Sequence, residues 1–252
     1  MTRFVGLTAL FLVAYLGLTI AQLPVRHAYG WVADALPVQL FELTGTPWAG
    51  EAQGQLRGFP VRLDRIEWRW RPTRLLRGDA EWGLRLRGTQ VTAAMGLGVG
   101  IAGVYGRDIK MVLPASLAGA LADLDLGGQL SLDLSEVALG PQGLPRLDGT
   151  IAWQDAAIAV YGSARLGNLR FVFARAEGGS VAQIRDEGGA LEVLEGELML
   201  RQPETIVLEA RVRPRAEASS GLVNGLRALG REAQDGSIVI EQSYTLTELS
   251  GA

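Results

Sequence analysis

The 252-residue chain contains no cysteine and a single histidine, His27. The absence of cysteine excludes disulfide bonds, thiolate catalysis, cysteine-ligated zinc and iron–sulfur clusters. One histidine cannot build a histidine-based metal site, and its position near the N-terminus excludes a Ser-His-Asp triad in the main body of the chain. An exported domain of this composition must therefore be stabilised by a packed core.

An excess of positive charge is also missing. The formal net charge is −3 and the isoelectric point is about 5.4, which argues against nucleic acid as a partner. The charges are unevenly spread, because nine arginines lie from Arg57 to Arg87 and eight acidic residues lie from Glu177 to Glu209. This asymmetry fits either a polar association surface or the solvated faces of two sheets.

One segment matches a cofactor-binding pattern. Residues Gly98 to Gly103 read G-x-G-x-x-G, a pattern that binds a dinucleotide only between a strand and the start of a helix. Residues 104–108 show no helical periodicity, and the glycines from Gly96 to Gly100 alternate with apolar residues. The segment therefore predicts a strand with one bare backbone face, and no cofactor site.

Acidic pairs such as Asp123 with Asp125, and Asp186 with Glu187, are the remaining candidates for chemistry. Acid–base catalysis needs two carboxyl groups that converge on one site with different pKa values. Twenty-seven acidic residues spread along the chain produce adjacent pairs by chance. We expect these pairs to be surface charge, and the sequence predicts neither an enzyme nor a metal site.

The N-terminus carries a long apolar run. Phe4 to Ala21 contains 18 residues without a charge, and as a helix it would rise about 27 Å, close to the hydrocarbon thickness of a bilayer. The sequence predicts a transmembrane signal-anchor at 4–23 after a cytoplasmic tip at 1–3. A signal peptide cleaved after Thr19-Ile20-Ala21 is the alternative, although its apolar core would be unusually long.

Beyond a membrane-proximal connector at 24–44, hydrophobic residues recur with a period of two, which is typical of antiparallel strands with one face in water. In one such strand, Glu81, Arg85 and Arg87 form the charged face that we expect to be solvated. The phase shifts once, at Asp64-Arg65, which predicts a β-bulge. The predicted fold class is all-β and mainly antiparallel.

Two short helical segments interrupt the strands, Ala115 to Ala122 and Ala218 to Arg231. Each follows a strand that ends in a proline, Pro114 or Pro214, and each leads into another alternating strand. The recurrence predicts two degenerate β-rich units of about 100 residues that share one extended, curved sheet. The predicted units are 45–140 and 141–252.

Tryptophan is concentrated in one region. Four of the six tryptophans, Trp48, Trp68, Trp70 and Trp82, lie within 35 residues and among the arginines. Large aromatic side chains beside arginine are typical of interface hot spots. Three of them also continue the apolar phase of their strands, so core packing is the competing interpretation.

The tryptophans belong to motifs that resemble a known family. The segments Gly45 to Gly50 (GTPWAG), Trp68 to Pro72 (WRWRP), Leu75 to Gly78 (LLRG) and Gly149 to Trp153 (GTIAW) are similar to those of the type II secretion system protein N family. That family has a G-T-x-W-x-G element, a W-x-x-x-P element, and a leucine–glycine step into a strand. Pro47 departs from the small or β-branched residue that many relatives carry. The matched positions are Gly45, Thr46, Trp48, Gly50, Trp68, Trp70, Pro72, Leu75, Gly78, Gly149 and Trp153.

The resemblance implies an accessory component of the inner-membrane platform of bacterial type II secretion. Such a protein would be a single-pass inner-membrane protein with a non-catalytic periplasmic scaffold. Its implied partners are other secretion subunits, with the secretin as a further candidate, and its family brings no catalytic residues.

The strand pattern leaves a second function open, a membrane-tethered periplasmic lipid-binding or lipid-transfer protein. In that case the apolar sheet face would form a groove for acyl chains instead of a closed core. The two functions differ in whether this face is covered. Its predicted members are Leu84, Leu86, Leu130, Leu132, Phe171 and Phe173.

Overall fold

The computed structural model describes residues 22–36, 38–101, 103–121, 124–139, 146–159, 163–201 and 205–245. The predicted cytoplasmic tip at 1–3 and nearly all of the predicted transmembrane segment at 4–23 lie outside the described residues. Of the helices in the described part of the chain, none is both long and apolar enough to cross a membrane.

Within these residues, fourteen strands form one antiparallel sheet, and their order in space follows their order in the chain as far as β12. The last two strands are exchanged, because the chain forms the short edge strand β13 before it returns beside β12 as β14. The strands are β1 (Val38–Gly45), β2 (Ala49–Leu56), β3 (Arg62–Trp70), β4 (Ala80–Gly88), β5 (Thr92–Gly100), β6 (Gly103–Pro114), β7 (Leu126–Leu139), β8 (Arg146–Ala159), β9 (Ser163–Ala176), β10 (Gly179–Asp186), β11 (Leu191–Arg201), β12 (Thr205–Pro214), β13 (Arg231–Glu232) and β14 (Ile238–Thr245).

This sheet confirms the all-β, mainly antiparallel class. It runs without interruption through the predicted unit boundary at 140–141, since β7 pairs with β8. The division into two units and the curvature of the sheet stay predictions.

In the described part of the chain, three α-helices accompany the sheet: α1 (Val25–Val32), α2 (Ala115–Leu121) and α3 (Ser220–Leu229). The last two confirm the predicted helices, and each follows a strand whose final residue is a proline. At the start of α3, the Ser219 hydroxyl accepts a hydrogen bond from the Leu222 backbone N–H at 3.2 Å, which satisfies one of the free N–H groups of the first turn.

Because neighbouring strands are antiparallel, the sheet has two ends. We call the end where β1 begins the proximal end and the end where β1 finishes the distal end. The helices α1, α2 and α3 all lie at the proximal end, since α1 precedes β1 while β6 and β12 run back towards it. The distal end carries tight turns and a 3₁₀-helix, Pro72–Arg77.

The predicted bulge at Asp64-Arg65 is confirmed. The register of β3 against β4 shifts between Leu63 and Arg65, and its register against β2 shifts at the same level. Because of the extra residue, Leu63 and Ile66 are both buried although they are three positions apart.

Three clusters of buried apolar residues are drawn from Ala115 to Ile240. Other buried apolar residues, such as Ala52, Leu63 and Ile66 in β2 and β3, lie outside these clusters. The first lies beneath α3, the second includes Ala115 at the start of α2, and the third joins β9, β10 and β11. Their members are Ala164, Leu191, Val212, Leu222, Leu226, Ile238 and Ile240; then Ala115, Trp153, Ala156 and Leu169; then Phe173, Ala182 and Leu200.

The predicted apolar face exists, because Leu86, Leu132 and Phe171 lie in one row across the sheet. The row is completed by the intervening register partners Ala93, Met111 and Ile151. Phe173 is buried, whereas Leu84, Leu86, Leu130, Leu132 and Phe171 are only half-buried.

Candidate functional site at the distal end of the sheet

The first family motif forms the turn between β1 and β2. The Thr46 N–H donates to the carbonyl oxygen of Ala49 at 2.9 Å, and Gly45 has a φ of +92°. A side chain at Gly45 would collide with the backbone of Ala49 and Gly50. The turn therefore requires glycine at this position, for its backbone conformation and for space.

Two tryptophan side chains hold this turn against the next strands. The indole Nε1–H of Trp68 donates to the Thr46 carbonyl oxygen at 2.9 Å, and that of Trp82 donates to the Pro47 carbonyl oxygen at 3.0 Å. Both rings are half-buried, so each stabilises the turn through apolar contact and one hydrogen bond.

The second motif continues the same structure. The rings of Trp48 and Trp70 lie 4.9 Å apart between centroids, and the Trp70 N–H donates to the Trp48 carbonyl oxygen at 2.6 Å. Pro72 then begins the 3₁₀-helix, which ends at Gly78 with a hydrogen bond from the Gly78 N–H to the carbonyl oxygen of Leu75 at 3.0 Å. Nine of the eleven motif residues predicted as candidates thus meet at the distal end.

We call the β1–β2 turn, its tryptophans and the 3₁₀-helix the motif frame. Behind it lies a buried carboxylate, Glu81, which with its partners forms the Glu81 cluster. Arg71 contacts one of its oxygens at 2.7 Å and Arg74 contacts the other at 3.3 Å. The Tyr105 hydroxyl also donates to Glu81 Oε2, at 3.3 Å. Burial raises the pKa of Tyr105, and the adjacent carboxylates of Glu81 and Asp79 raise it further. A solvated position was expected for Glu81, and that prediction is wrong, because its side chain is completely buried.

The glycine-rich segment explains why Glu81 is buried. Gly98 pairs directly with Glu81 on β4 and with Tyr105 on β6, and a side chain at Gly98 would overlap the Tyr105 ring. A side chain at Gly96 would lie 3.0 Å from Glu81 Oε1. The G-x-G-x-x-G segment forms the end of β5 and the start of β6, and no helix follows it, as predicted. The Glu81 cluster fills the space beside the backbone that the glycines leave free.

Large apolar side chains are exposed beside this cluster. Leu76 on the 3₁₀-helix is 91% exposed, and Ile101 in the turn after β5 is fully exposed and close to Gly78. We call this group the distal apolar patch. Its members are Leu75, Leu76, Leu97, Val99, Ile101 and Val104. Several exposed apolar side chains gathered at one end of a sheet make this end a candidate surface for binding other molecules.

An open groove of about 700 Å³ lies next to the motif frame and is bordered by charged side chains of both signs. Arg65 in its wall contacts Glu51 at 2.7 Å and Glu67 at 2.8 Å. Arg69 and Arg85 also line the groove, and neither forms an ion pair with any described residue. They are available to an acidic group of a partner.

The remaining two motif residues lie elsewhere. Gly149 and Trp153 are in the middle of β8, where Trp153 is buried in the cluster of Ala115 and donates from Nε1 to the Gly127 carbonyl oxygen at 2.8 Å. This second element is part of the core and does not reach the distal end.

One of the two acidic pairs found in the sequence, Asp186 with Glu187, forms ion pairs with arginines. Asp186 contacts Arg215 at 2.5 Å, and Glu187 contacts Arg170 at 2.6 Å. Asp123 lies outside the described residues. Across the described part of the chain, no group of three or more histidine, cysteine or acidic side chains is arranged to hold a metal ion.

Residues 37–241 match the family described as type II secretion system (T2SS), protein N. This chain belongs to that family. It is 29% identical over 245 residues to the type II secretion system protein N of Aeromonas hydrophila, covering 92% of this chain and 94% of that protein. The corresponding protein of Vibrio cholerae serotype O1 is 27% identical over 255 residues, covering 98% and 100%. No solved structure is significantly similar. The family predicted from the motifs is confirmed.

Proposed function

We propose that this protein is an accessory, non-catalytic component of the inner-membrane platform of a bacterial type II secretion system. In this proposal a segment at 4–23 anchors the chain in the inner membrane, and the sheet lies in the periplasm. There it contacts other secretion subunits during the export of folded proteins. The observation that carries the proposal is the distal apolar patch, which the family motifs hold in place.

The surroundings of the patch support a role in protein binding. Exposed leucine and isoleucine side chains are stabilising only when a partner covers them. Here they lie on a rigid frame, because Gly78 ends the 3₁₀-helix and the Glu81 cluster fixes the strands beneath. A preformed apolar surface loses little conformational entropy on binding.

The position of the patch also fits this role. The chain reaches the sheet at the proximal end, where α1 contacts β1 through the hydrogen bond from the Leu40 N–H to the Tyr29 hydroxyl. The eight residues of β1 span about 27 Å at the usual rise of a strand. A membrane anchor preceding α1 would therefore present the patch about 27 Å beyond the proximal end.

A site-specific photo-crosslinking experiment tests the proposal directly. A photoreactive residue at Leu76 or Ile101 should form adducts with type II secretion subunits in secreting cells, identified by mass spectrometry. Leu124, which is 45% exposed at the proximal end, is the matched control. Adducts at Leu124 but at neither distal position would contradict the assignment of the patch.

A secretion assay tests the pathway. Removal of the protein should leave folded cargo in the periplasm, and the wild-type chain should restore export. The double variant Leu76→Glu, Ile101→Glu should fold normally, because both side chains are exposed, yet fail to restore export. The control Leu124→Glu should restore it. Unchanged export without the protein would remove the basis for this function.

The lipid-binding alternative retains one supporting observation, namely that five of the six predicted apolar-face residues are only half-buried. A photoreactive residue at Leu132 tests this face, with the neighbouring Ser131 on the opposite face as control. Phospholipid adducts specific to Leu132 would support lipid binding. Equal or absent labelling at the two positions would count against it.

A further inference from the structure

The two lateral edges of the sheet are protected to different degrees. At the β1 edge, the Leu40 N–H donates to the Tyr29 hydroxyl of α1 at 3.1 Å. The register of β1 also shifts between Phe41 and Thr44, where Glu42 has a φ of +51°. A covering side chain and a bulge both prevent another strand from pairing there.

At the opposite edge, no described strand pairs with the outer side of β14 beyond its start. β13 pairs only with the first two residues of β14. On this outer side the Ser237 carbonyl oxygen accepts a hydrogen bond from the Ala233 N–H at 2.7 Å. Backbone groups alternate between the two sides of a strand, so the N–H and C=O groups of Glu241 and Ser243 also point outward. No described residue pairs with them.

A row of like charges runs to this edge. Glu197, Glu209 and Glu241 are exposed and lie directly opposite one another on β11, β12 and β14. Directly opposed like charges destabilise a sheet. Across the described residues none of the three forms an ion pair. We call this row the glutamate ladder.

The same arrangement elsewhere in the sheet is neutralised. Glu51 and Glu67 are also directly opposed, but Arg65 lies between them and contacts both, at 2.7 and 2.8 Å. Beside the glutamate ladder, Arg211 is instead bound to Asp235 at 2.8 Å. The ladder therefore lacks the cation that this chain supplies for its other glutamate pair.

The edge also has room for a side chain. An open cavity of about 540 Å³ lies beside it, bordered by Leu229, Arg231, Glu241 and Gln242 among others. The adjacent Ile240 is on the opposite, apolar face of β14. An added strand would therefore meet Glu241 on one face, and on the other face Gln242 and the exposed Tyr244, which follow the buried Ile240.

We propose that the outer edge of β14 binds an extended segment of a partner protein as an added strand, with a basic side chain beside Glu241 and alternating apolar side chains. Strand addition satisfies the outward backbone groups, and the basic residue neutralises the glutamate ladder. A second copy of this chain does not fit, because neither β1 nor β14 contains a lysine or arginine. This surface is separate from the distal apolar patch, so the inference stands apart from the proposed function.

A peptide-binding experiment on the full-length chain in detergent micelles tests the proposal. The probe is a fluorescent nine-residue peptide of alternating valine and lysine, and the control peptide carries glutamate in place of lysine. We expect the lysine peptide to bind at least tenfold more tightly than the glutamate peptide, with its affinity decreasing as salt increases. Hydrogen exchange should slow at the Glu241 and Ser243 amides.

Two variants separate backbone pairing from charge. Ser243→Pro removes an outward N–H without breaking the pairing with β12, and Glu241→Lys reverses the charge at the edge. Each should weaken binding at least tenfold, whereas Ser243→Ala should not. Thermal unfolding checks that all three variants are folded.

Undiminished binding by Ser243→Pro and Glu241→Lys would overturn the proposal, and so would equal binding of the two peptides. A dimer of the free chain that Ser243→Pro converts to monomer would also overturn it, by showing that the edge binds a second copy. Leu76 and Ile101 take no part in this test, so its failure leaves the proposed function unaffected.

Discussion

The two halves of the sheet are stabilised in different ways. In the second half, from β7 to β14, apolar clusters lie beneath α3 and beside α2. In the first half, from β1 to β6, indole hydrogen bonds fix the distal turn, and a buried glutamate joins β4 to Arg71, Arg74 and β6. The first half also buries Leu63, Ile66 and Ile109, but these residues belong to none of the three apolar clusters.

This difference explains how the first half leaves apolar side chains free. Where helices cover the sheet, its large apolar residues are used in packing. Where Glu81 and the tryptophans fix the strands, Leu76 and Ile101 stay exposed. A rigid surface with uncovered apolar groups is what binding another protein needs. The following variants test the comparison, from the largest expected effect to the smallest.

Leu222→Ala should destabilise the second half most strongly. Leu222 lies on the buried side of α3 and is 2% exposed, and replacing a buried leucine with alanine costs about 3 kcal/mol. Leu229→Ala on the same helix, at a site that is 47% exposed, is the matched control. Denaturant unfolding gives the free energies. Hydrogen exchange of Leu222→Ala should show faster opening of β9 to β14. Equal losses of stability in Leu222→Ala and Leu229→Ala would argue against a core beneath α3.

Glu81→Gln should have the largest effect in the first half. The change removes a buried charge that Arg71 and Arg74 contact, and hydrogen bonds to a charged group contribute about 2 kcal/mol. Glu67→Gln, which removes a more exposed ion pair with Arg65, should cost less than about 1 kcal/mol. The same unfolding measurement compares them. Similar losses would show that the Glu81 cluster is not the main support of this half.

Trp82→Phe tests the indole hydrogen bonds. Phenylalanine keeps most of the apolar contact but cannot donate to the Pro47 carbonyl oxygen, so we expect a loss of about 1 kcal/mol. The control is Trp31→Phe, because Trp31 is 80% exposed. Hydrogen exchange at the β1–β2 turn should accelerate only in the Trp82 variant. An unaffected turn would assign its order to packing alone.

Asp235→Asn tests a surface network in the second half. Hydrogen bonds from Ser237, together with Arg211 and Arg213, lower the pKa of Asp235 from its usual 3.8 to about 2. Its stabilising contribution is therefore complete above about pH 4 and is lost as the pH falls towards 2. The wild type should lose more stability over that interval than Asp235→Asn does. Parallel pH profiles of the two proteins would contradict this assignment.

Sequence patterns predicted the features that depend on neighbouring residues in the chain. The bulge at Asp64-Arg65 was predictable because the alternation continues in the other phase after it. The helices α2 and α3 were predictable because Pro114 and Pro214 end the preceding strands.

Features that depend on pairing between distant residues were not predictable. Alternation alone placed Glu81 in solvent, and only its pairing with Gly98 creates the space that buries it. The indole partners Thr46 and Pro47 are backbone carbonyl groups, which no side-chain pattern marks. The glycines of β5 were the sequence feature that indicated space for a buried side chain. Assigning that space to Glu81 required the register of β4 against β5.

The agreement between strand order and chain order has a consequence for how the molecule assembles. From β1 to β11 each strand pairs only with the strands just before and after it in the chain, whereas β12 pairs with β11 and β14. Such a sheet can grow one hairpin at a time, because every pairing closes a short loop. Newly made chain can therefore be incorporated as it emerges, long before its C-terminus is available. Only β14 departs from this order, because it lies between β12 and β13, which precedes it in the chain. Its pairing with β12 is therefore the last step in completing the sheet.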